Sequence, residues 1–322
     1  MSIHILQTGL LTTIQDRGRK GYRRFGINPN GVMDTIASTL VNYLVGNDAS
    51  EGVIEFHFPM GEIELEEDAL VAFGGADFGL KANDKPLENW KPYYLSKGTR
   101  IKATAKPQGV RLYMAVQGGF QLEKWHDSVS TNLKASIGGY KGRNLQKSDR
   151  IPFKAMRSFT SSLLTYPSHW KISFNTLQQL YGNDTVRIIP GPEWDMLTKE
   201  AKEIVHSQEF MISSFSDRMG YRLEGMALER EYTTELVSSA VTQGTIQLLP
   251  SGQLIILMAD HQTTGGYPRI ATVIGADLSG LAQMSTHDKI YFSLVSVEEA
   301  EELLLTQHQE FEILRFAINQ KM

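Results

Sequence analysis

The chain has 322 residues, 41% hydrophobic and 21% charged, which is enough apolar mass for one or two packed domains and too much for a disordered chain. Thirty-six acidic against 32 basic residues leave a net charge of −4, so there is no general attraction to a phosphate backbone and a nucleic-acid binder is not expected. Cysteine is absent, which excludes disulfides, thiolate nucleophiles, iron–sulfur clusters and cysteine-held zinc, and fits a reducing compartment.

The N-terminus, Met1 to Leu6, has neither a basic leader nor a long apolar run. No segment reaches the roughly 18 apolar residues of a membrane span. A cytoplasmic protein with no membrane attachment is expected. The first chemically suggestive stretch runs from Gly9 to Tyr22 and on to Asp34. Its glycines permit close backbone approach, and Arg17, Arg19, Lys20, Arg23 and Arg24 can meet an anion or an acidic partner surface. A solvated basic loop is the plainer reading. Asp34 is a fitting N-cap for a helix over Thr35–Val45, with Gly46 as its stop.

Short apolar runs bounded by Gly, Pro, Asp or Ser predict strands at Ala69–Phe73 and Arg111–Val116. The segment Gly138-Gly139-Tyr140-Lys141-Gly142-Arg143 then places three glycines among two cations. Such a run can cradle a phosphate or carboxylate on backbone amides, or be a plain turn cluster. It matches neither G-x-x-x-x-G-K-[ST] nor G-x-G-x-x-G. Lys154 to Asn183 has weak periodicity and contains Pro167, so the domain junction is placed there, dividing 1–165 from 166–322.

Further strands are predicted at Thr185–Ile189, Phe210–Ser214, Leu254–Met258 and Lys289–Val295. Helices are predicted at Asp277–Met284 and Val297–Phe316, the latter with four glutamates near its start. Many short strands, tight turns and few helices read as a mainly β protein of barrels or sandwiches. Each half carries a glycine pair after an apolar strand, Gly118-Gly119 and Gly265-Gly266, which suggests a duplicated barrel. Ser216 to Arg222 offers a carboxylate and two guanidiniums near a glycine. The most apolar strand runs into Asp260, His261, Gln262, Thr263, Thr264, Gly265, Gly266 and Tyr267. A strand leaving a core into convergent polar groups is how pockets are commonly built; a turn whose side chains cap strand ends is the plainer reading. There Asp260 can serve as base or anchor, and Thr263 and Thr264 can hold a carboxylate or carbonyl. The eight histidines are scattered without H-x-x-x-H spacing, so no metal site is expected, and no G-x-S-x-G elbow is present.

Several of these blocks, in this order, resemble the family of biotin-dependent carboxyltransferases, allophanate hydrolase subunit 2 and the C subunit of 5-oxoprolinase. The resemblance rests on Gly9 to Asp16 with Gly31 and Met33-Asp34, Gly138-Gly139 with Gly142-Arg143, Pro190-Gly191-Pro192, Ser216 to Gly225, and Asp260 with Gln262 to Pro268. It covers nearly the whole chain. The chain departs from the usual pattern at Asn30, Val129 and Ser239, where serine, arginine and an acid are common.

The resemblance implies two tandem cyclophilin-like β-barrel modules. It implies a subunit of ATP-dependent 5-oxoprolinase, a hydrolase that opens the 5-oxoproline lactam to glutamate together with subunits A and B. The alternatives it carries are a biotin-dependent carboxyltransferase acting on a urea-like amide, and a non-catalytic antagonist of a kinase inhibitor related to the B subunit. Biotin enters only under the first alternative. ATP with Mg2+ is the cofactor implied for the complex, and the substrate is a small molecule. In this picture Arg143, Arg218 and the glycine-rich backbone of Gly138, Gly139 and Tyr140 would meet the phosphoryl group. Gln262, Thr263, Thr264, Gly265, Gly266 and Tyr267 would meet the substrate. Asp260 or Asp34 would order a magnesium ion or a water.

Overall fold

A computed structural model describes residues 1–104, 108–154, 170–182, 185–232 and 234–321. The expected junction between residues 165 and 166 lies outside the described residues. The chain divides into two compact units. One comprises residues 1–19, 30–177 and 310–322, the other residues 20–29 and 178–309.

The first unit holds β1 (Ser2–Gln7), β2 (Leu11–Gln15), α1 (Thr35–Leu44), β3 (Val53–His57), β4 (Glu62–Leu65), β5 (Ala69–Asp77), β6 (Leu80–Ala82), β7 (Lys85–Pro86), β8 (Pro92–Leu95), β9 (Arg100–Ala103), β10 (Gln108–Val116) and β11 (Arg150–Pro152). They form a six-stranded sheet in the order β11-β1-β4-β9-β6-β7 and a five-stranded sheet in the order β2-β3-β10-β5-β8. Alternation decides which side chains enter the core. In β1, Ile3 and Ile5 point inward while Ser2 and His4 do not, and in β4 Ile63 and Leu65 are buried between glutamates. Ile14, Ile54, Phe56, Val71, Phe73, Leu112 and Met114 join them in one cluster. Each such side chain contributes about 1.5–3 kcal/mol relative to remaining in water. The opposite face of the five-stranded sheet is buried although polar: Thr13, Gln15, Glu55, Arg111 and Tyr113 lie there, against α1 and the segment that precedes it. The Tyr113 hydroxyl donates to Glu55 at 2.8 Å and accepts the Asp34 amide at 2.9 Å, and Glu55 also accepts the Met33 amide at 3.0 Å. A buried polar face survives because its groups are bonded to one another.

After α2 (Phe174–Tyr181), the second unit is built from β12 (Thr185–Pro190), α3 (Lys199–Ser207), β13 (Phe210–Ile212), β14 (Gly220–Glu224), β15 (Ser239–Ala240), β16 (Thr245–Leu248), β17 (Leu254–Leu257), β18 (Thr264–Gly265), β19 (Arg269–Val273), α4 (Leu278–Ala282), β20 (Lys289–Leu294) and the first half of α5 (Val297–Asn319). Seven strands close a barrel in the order β12-β19-β16-β17-β14-β13-β20, and β15 pairs with β18 in a separate ribbon. Closure is antiparallel except at β12–β20. Register stacks the interior in rungs: Ile256 faces Ile246 and Tyr221, and Leu254 faces Leu248 and Leu223.

The mainly β expectation holds, with β5 and β10 each running longer than the apolar runs that announced them. Two helices were not foreseen. In α3, the Thr198 hydroxyl accepts the Ala201 amide and only Ala201 and Val205 are buried, an apolar signal of two residues. The other is α2, which falls in the stretch of weak periodicity. The two glycine pairs do different jobs. Gly118 and Gly119 both have positive φ and turn the chain after β10, whereas Gly265 lies inside the β18 ribbon.

Candidate functional site

A polar constellation stands where β17 leaves the barrel. β17 leaves the core at Leu257, and Met258 and Ala259 remain buried. The chain is then caught by the β13–β14 turn: Met258 N–H donates to the Met219 carbonyl at 3.0 Å and Asp260 N–H to the Arg218 carbonyl at 2.8 Å. Asp217 shapes that turn by accepting the Met219 and Gly220 amides at 2.7 and 3.2 Å. Arg218 is thereby aimed at Asp260. Its Nε donates to Oδ2 at 2.9 Å and its Nη2 to Oδ1 at 3.1 Å, with both side chains largely buried. This fork-to-fork pair fixes the carboxylate plane.

Beyond His261 the chain becomes accessible. Gln262, Thr263 and Gly265 are half-buried, and Thr264, Gly266 and Tyr267 are exposed. The segment is held by β15 pairing and by the Val241 N–H donating to the Thr263 carbonyl at 3.2 Å. Gln247 backs it, with Nε2 3.4 Å from the Tyr267 carbonyl. His261 is buried, with Nδ1 2.5 Å from the Gln262 carbonyl. Burial lowers its pKa, and the nearby Arg23 charge adds to this, against the Gln262 carbonyl and Asp260.

Residues 20–29 complete this end of the unit. The Arg23 guanidinium donates to the Val241 carbonyl, and Asn28 Nδ2 donates to the Asp260 and His261 carbonyls at 3.1 and 2.6 Å. Sequence reasoning noted the basic run but missed Asn28. A single asparagine in a Gly/Pro-rich loop carries no spacing signal, and its partners lie more than 230 residues away.

The remaining candidates belong to the first unit. Asp34 is fully buried, and its Oδ1 accepts the Ala37 amide at 2.9 Å as the N-cap of α1. Arg143 donates from both terminal nitrogens to Asp149, at 2.7 and 2.8 Å. That partner raises the Arg143 pKa, against burial. Burial works to raise the Asp149 pKa, but the Arg143 hydrogen bonds and the Gln146 amide outweigh it and the net direction is down. Lys141 Nζ lies 5.0 Å from the Tyr140 ring centre. The glycines here are close-packed, not an open cradle. A Cβ on Gly139, whose φ is +54°, would lie 1.9 Å from Thr131 Oγ1, and the Gly139 and Gly142 amides donate to the Val129 and Gly138 carbonyls. The fork of Arg143 is closed by Asp149 and that of Arg218 by Asp260, so the expected pair of phosphate clamps does not fit an ATP phosphate as it stands. Among the described residues, no group of three or more His, Asp or Glu is placed to hold a metal ion, and no helix is long and apolar enough to cross a membrane.

A mainly β chain with this barrel end defines a class that comparison makes explicit. The chain belongs to the family described as carboxyltransferase domain, subdomain A and B, whose model matches residues 25–294. It is 35% identical to the 5-oxoprolinase C subunit of Escherichia coli K12, over 98% of this chain and 99% of that one. It is 37% identical to the 5-oxoprolinase C subunit of Haemophilus influenzae, over 99% of each. Urea amidolyase of Lachancea kluyveri is 28% identical across 97% of this chain, which spans 18% of that protein. The crystal structure of Kluyveromyces lactis urea amidolyase superposes with a TM-score of 0.87 at 23% identity, covering 97% of this chain and 20% of that one. This last likeness shows the fold.

Proposed function

We propose that this chain is the C subunit of an ATP-dependent 5-oxoprolinase, acting with subunits A and B to open 5-oxoproline to glutamate. The observation that carries the reading is the end-to-end similarity, at 35 and 37% identity, to two proteins named as the C subunit of that enzyme. The urea amidolyases, by contrast, are matched over 17–18% of their length. The geometry favours the barrel end as the place where substrate is held. Gln262, Thr263 and Thr264 offer an amide and two hydroxyls to the carboxylate and carbonyl of the lactam acid. Asp260, kept in one plane by Arg218, is the carboxylate that accepts a lactam N–H or orders a water, and the Gly265-Gly266 backbone and the Tyr267 ring border the same segment. Asp34 acts through α1, as its cap. No step is routed through ATP in this chain, because both candidate clamps are occupied by carboxylates. The phosphoryl chemistry is assigned to the assembled complex.

Reconstitution with subunits A and B is the test. Oxoproline-dependent ATP hydrolysis is expected, and Asp260→Asn should lower kcat by about 100-fold or more. A complete mixture without hydrolysis removes the reading. The family description, a carboxyltransferase domain, favours one second reading, carboxyl transfer, for which the sequence resemblance implies biotin. Activity abolished by avidin would select it.

A further inference from the structure

Phe25 stands 62% exposed at the tip of a turn whose base is tightly held. The turn is a short 3-10 helix, Arg23–Phe25, closed by Gly26 in the left-handed conformation (φ 75°), with the Gly26 amide donating to the Arg23 carbonyl at 2.9 Å. Below the tip, Arg23 is bonded to the Val241 carbonyl and Asn28 to two carbonyls of the barrel end. The Arg24 guanidinium lies 4.7 Å over the Phe25 ring. No acid occurs between Arg17 and Met33, and Lys20 and Arg24 are the exposed cations of the turn. Two segments bonded to the same end also carry outward apolar side chains. Val237, 90% exposed, precedes β15, and Phe215, 79% exposed, sits on the turn that bears Arg218.

We infer that the Arg24–Phe25 tip is the anchor by which this chain docks the B subunit of the same enzyme, and that the matching surface is an apolar socket edged with carboxylates. The inference rests on the chain being one component of a larger enzyme. Three physical points carry it. An aromatic ring on a backbone already fixed by hydrogen bonds loses little freedom on docking, which is the property of an interface hot spot. A small anion would require donors converging on a concavity, and a ring more than half exposed at a turn tip is convex. The uniformly positive turn is electrostatically complementary to an acidic rim and is repelled by a basic one.

The test measures binding of the full chain to the purified B subunit. Phe25→Ala should weaken binding about 30-fold or more, the loss expected of a central aromatic anchor. Arg24→Glu should weaken it about 10-fold at low salt, with the difference shrinking as salt is raised. Phe174→Ala, at a 70% exposed ring on α2, should leave affinity unchanged. Melting temperatures should match the parent chain, because both altered side chains of the tip face water. Unchanged affinity in both tip variants overturns the inference. So does a Phe25→Ala effect confined to self-association by light scattering, which would make the tip a contact between copies of this chain. An intact complex whose KM for 5-oxoproline rises would make it a substrate lip, and overturns it equally. If the B subunit binds through the tip but the mixture hydrolyses no ATP with oxoproline, the proposed reaction fails and the docking surface stands. If the parent chain does not bind the B subunit, both fall.

Discussion

Asp16 shows how a single residue organises the loops of the first unit. Its carboxylate is buried, and it accepts the Gly18 amide at 2.8 Å, the Val129 amide at 2.7 Å and the Ser128 and Ser130 hydroxyls at 2.6 Å. Four donors compensate the loss of water around the charge, and they tie the end of β2 to residues 128–130. Asp16→Ala should cost about 3 kcal/mol or more in urea denaturation, because it leaves buried donors unanswered, and Asp16→Asn should recover part of that. A loss below about 1 kcal/mol would mean that water replaces the carboxylate. Val129 contributes only its amide to this arrangement and buries its side chain. Asn30 adopts φ 53°, which asparagine tolerates better than most residues, and accepts a hydrogen bond from Arg19 at 3.0 Å.

At the scale of elements, α1 joins the chemistry of its cap to the buried polar face beneath it. Asp34 caps the helix with its side chain while its own amide is held by the Tyr113 hydroxyl. Removing the cap with Asp34→Ala should cost about 1–2 kcal/mol. Asn caps nearly as well as Asp, so Asp34→Asn should keep both stability and activity. Thermal melts and the reconstituted assay read the two consequences separately. A stable but inactive Asp34→Asn protein would return Asp34 to the reaction itself. The Gly138–Gly142 element carries the same lesson in steric form: its glycines are needed because backbone and Thr131 lie where side chains would go.

For the molecule as a whole, two histidines set a direction for stability against pH. His57 and His261 both have folded pKa values below the ordinary 6.5, in each case chiefly through burial. A histidine depressed on folding binds more protons when unfolded. Its contribution is therefore complete above about pH 6.5 and is lost as pH falls through the lower folded value. Stability should decline from pH 7 toward pH 5, and His261→Gln should flatten that decline. A decline of equal slope in the variant would assign it to other groups.

The mainly β character, the strands at Thr185, Leu254 and Lys289, the caps of α1 and the polar run after β17 were legible in the amino-acid order, because alternation, capping and turn chemistry act over a few residues. The fate of each charge was not. Arg143 met Asp149 six residues away, Arg218 met Asp260 forty-two residues away, and Asn28 met carbonyls of the barrel end. A guanidinium near glycines reads the same in sequence whether it waits for a phosphate or grips a carboxylate. The choice is made by which carboxylate the folded chain carries to within hydrogen-bonding distance. Long-range pairing, barrel closure and the placement of residues 20–29 therefore belonged to the tertiary structure alone.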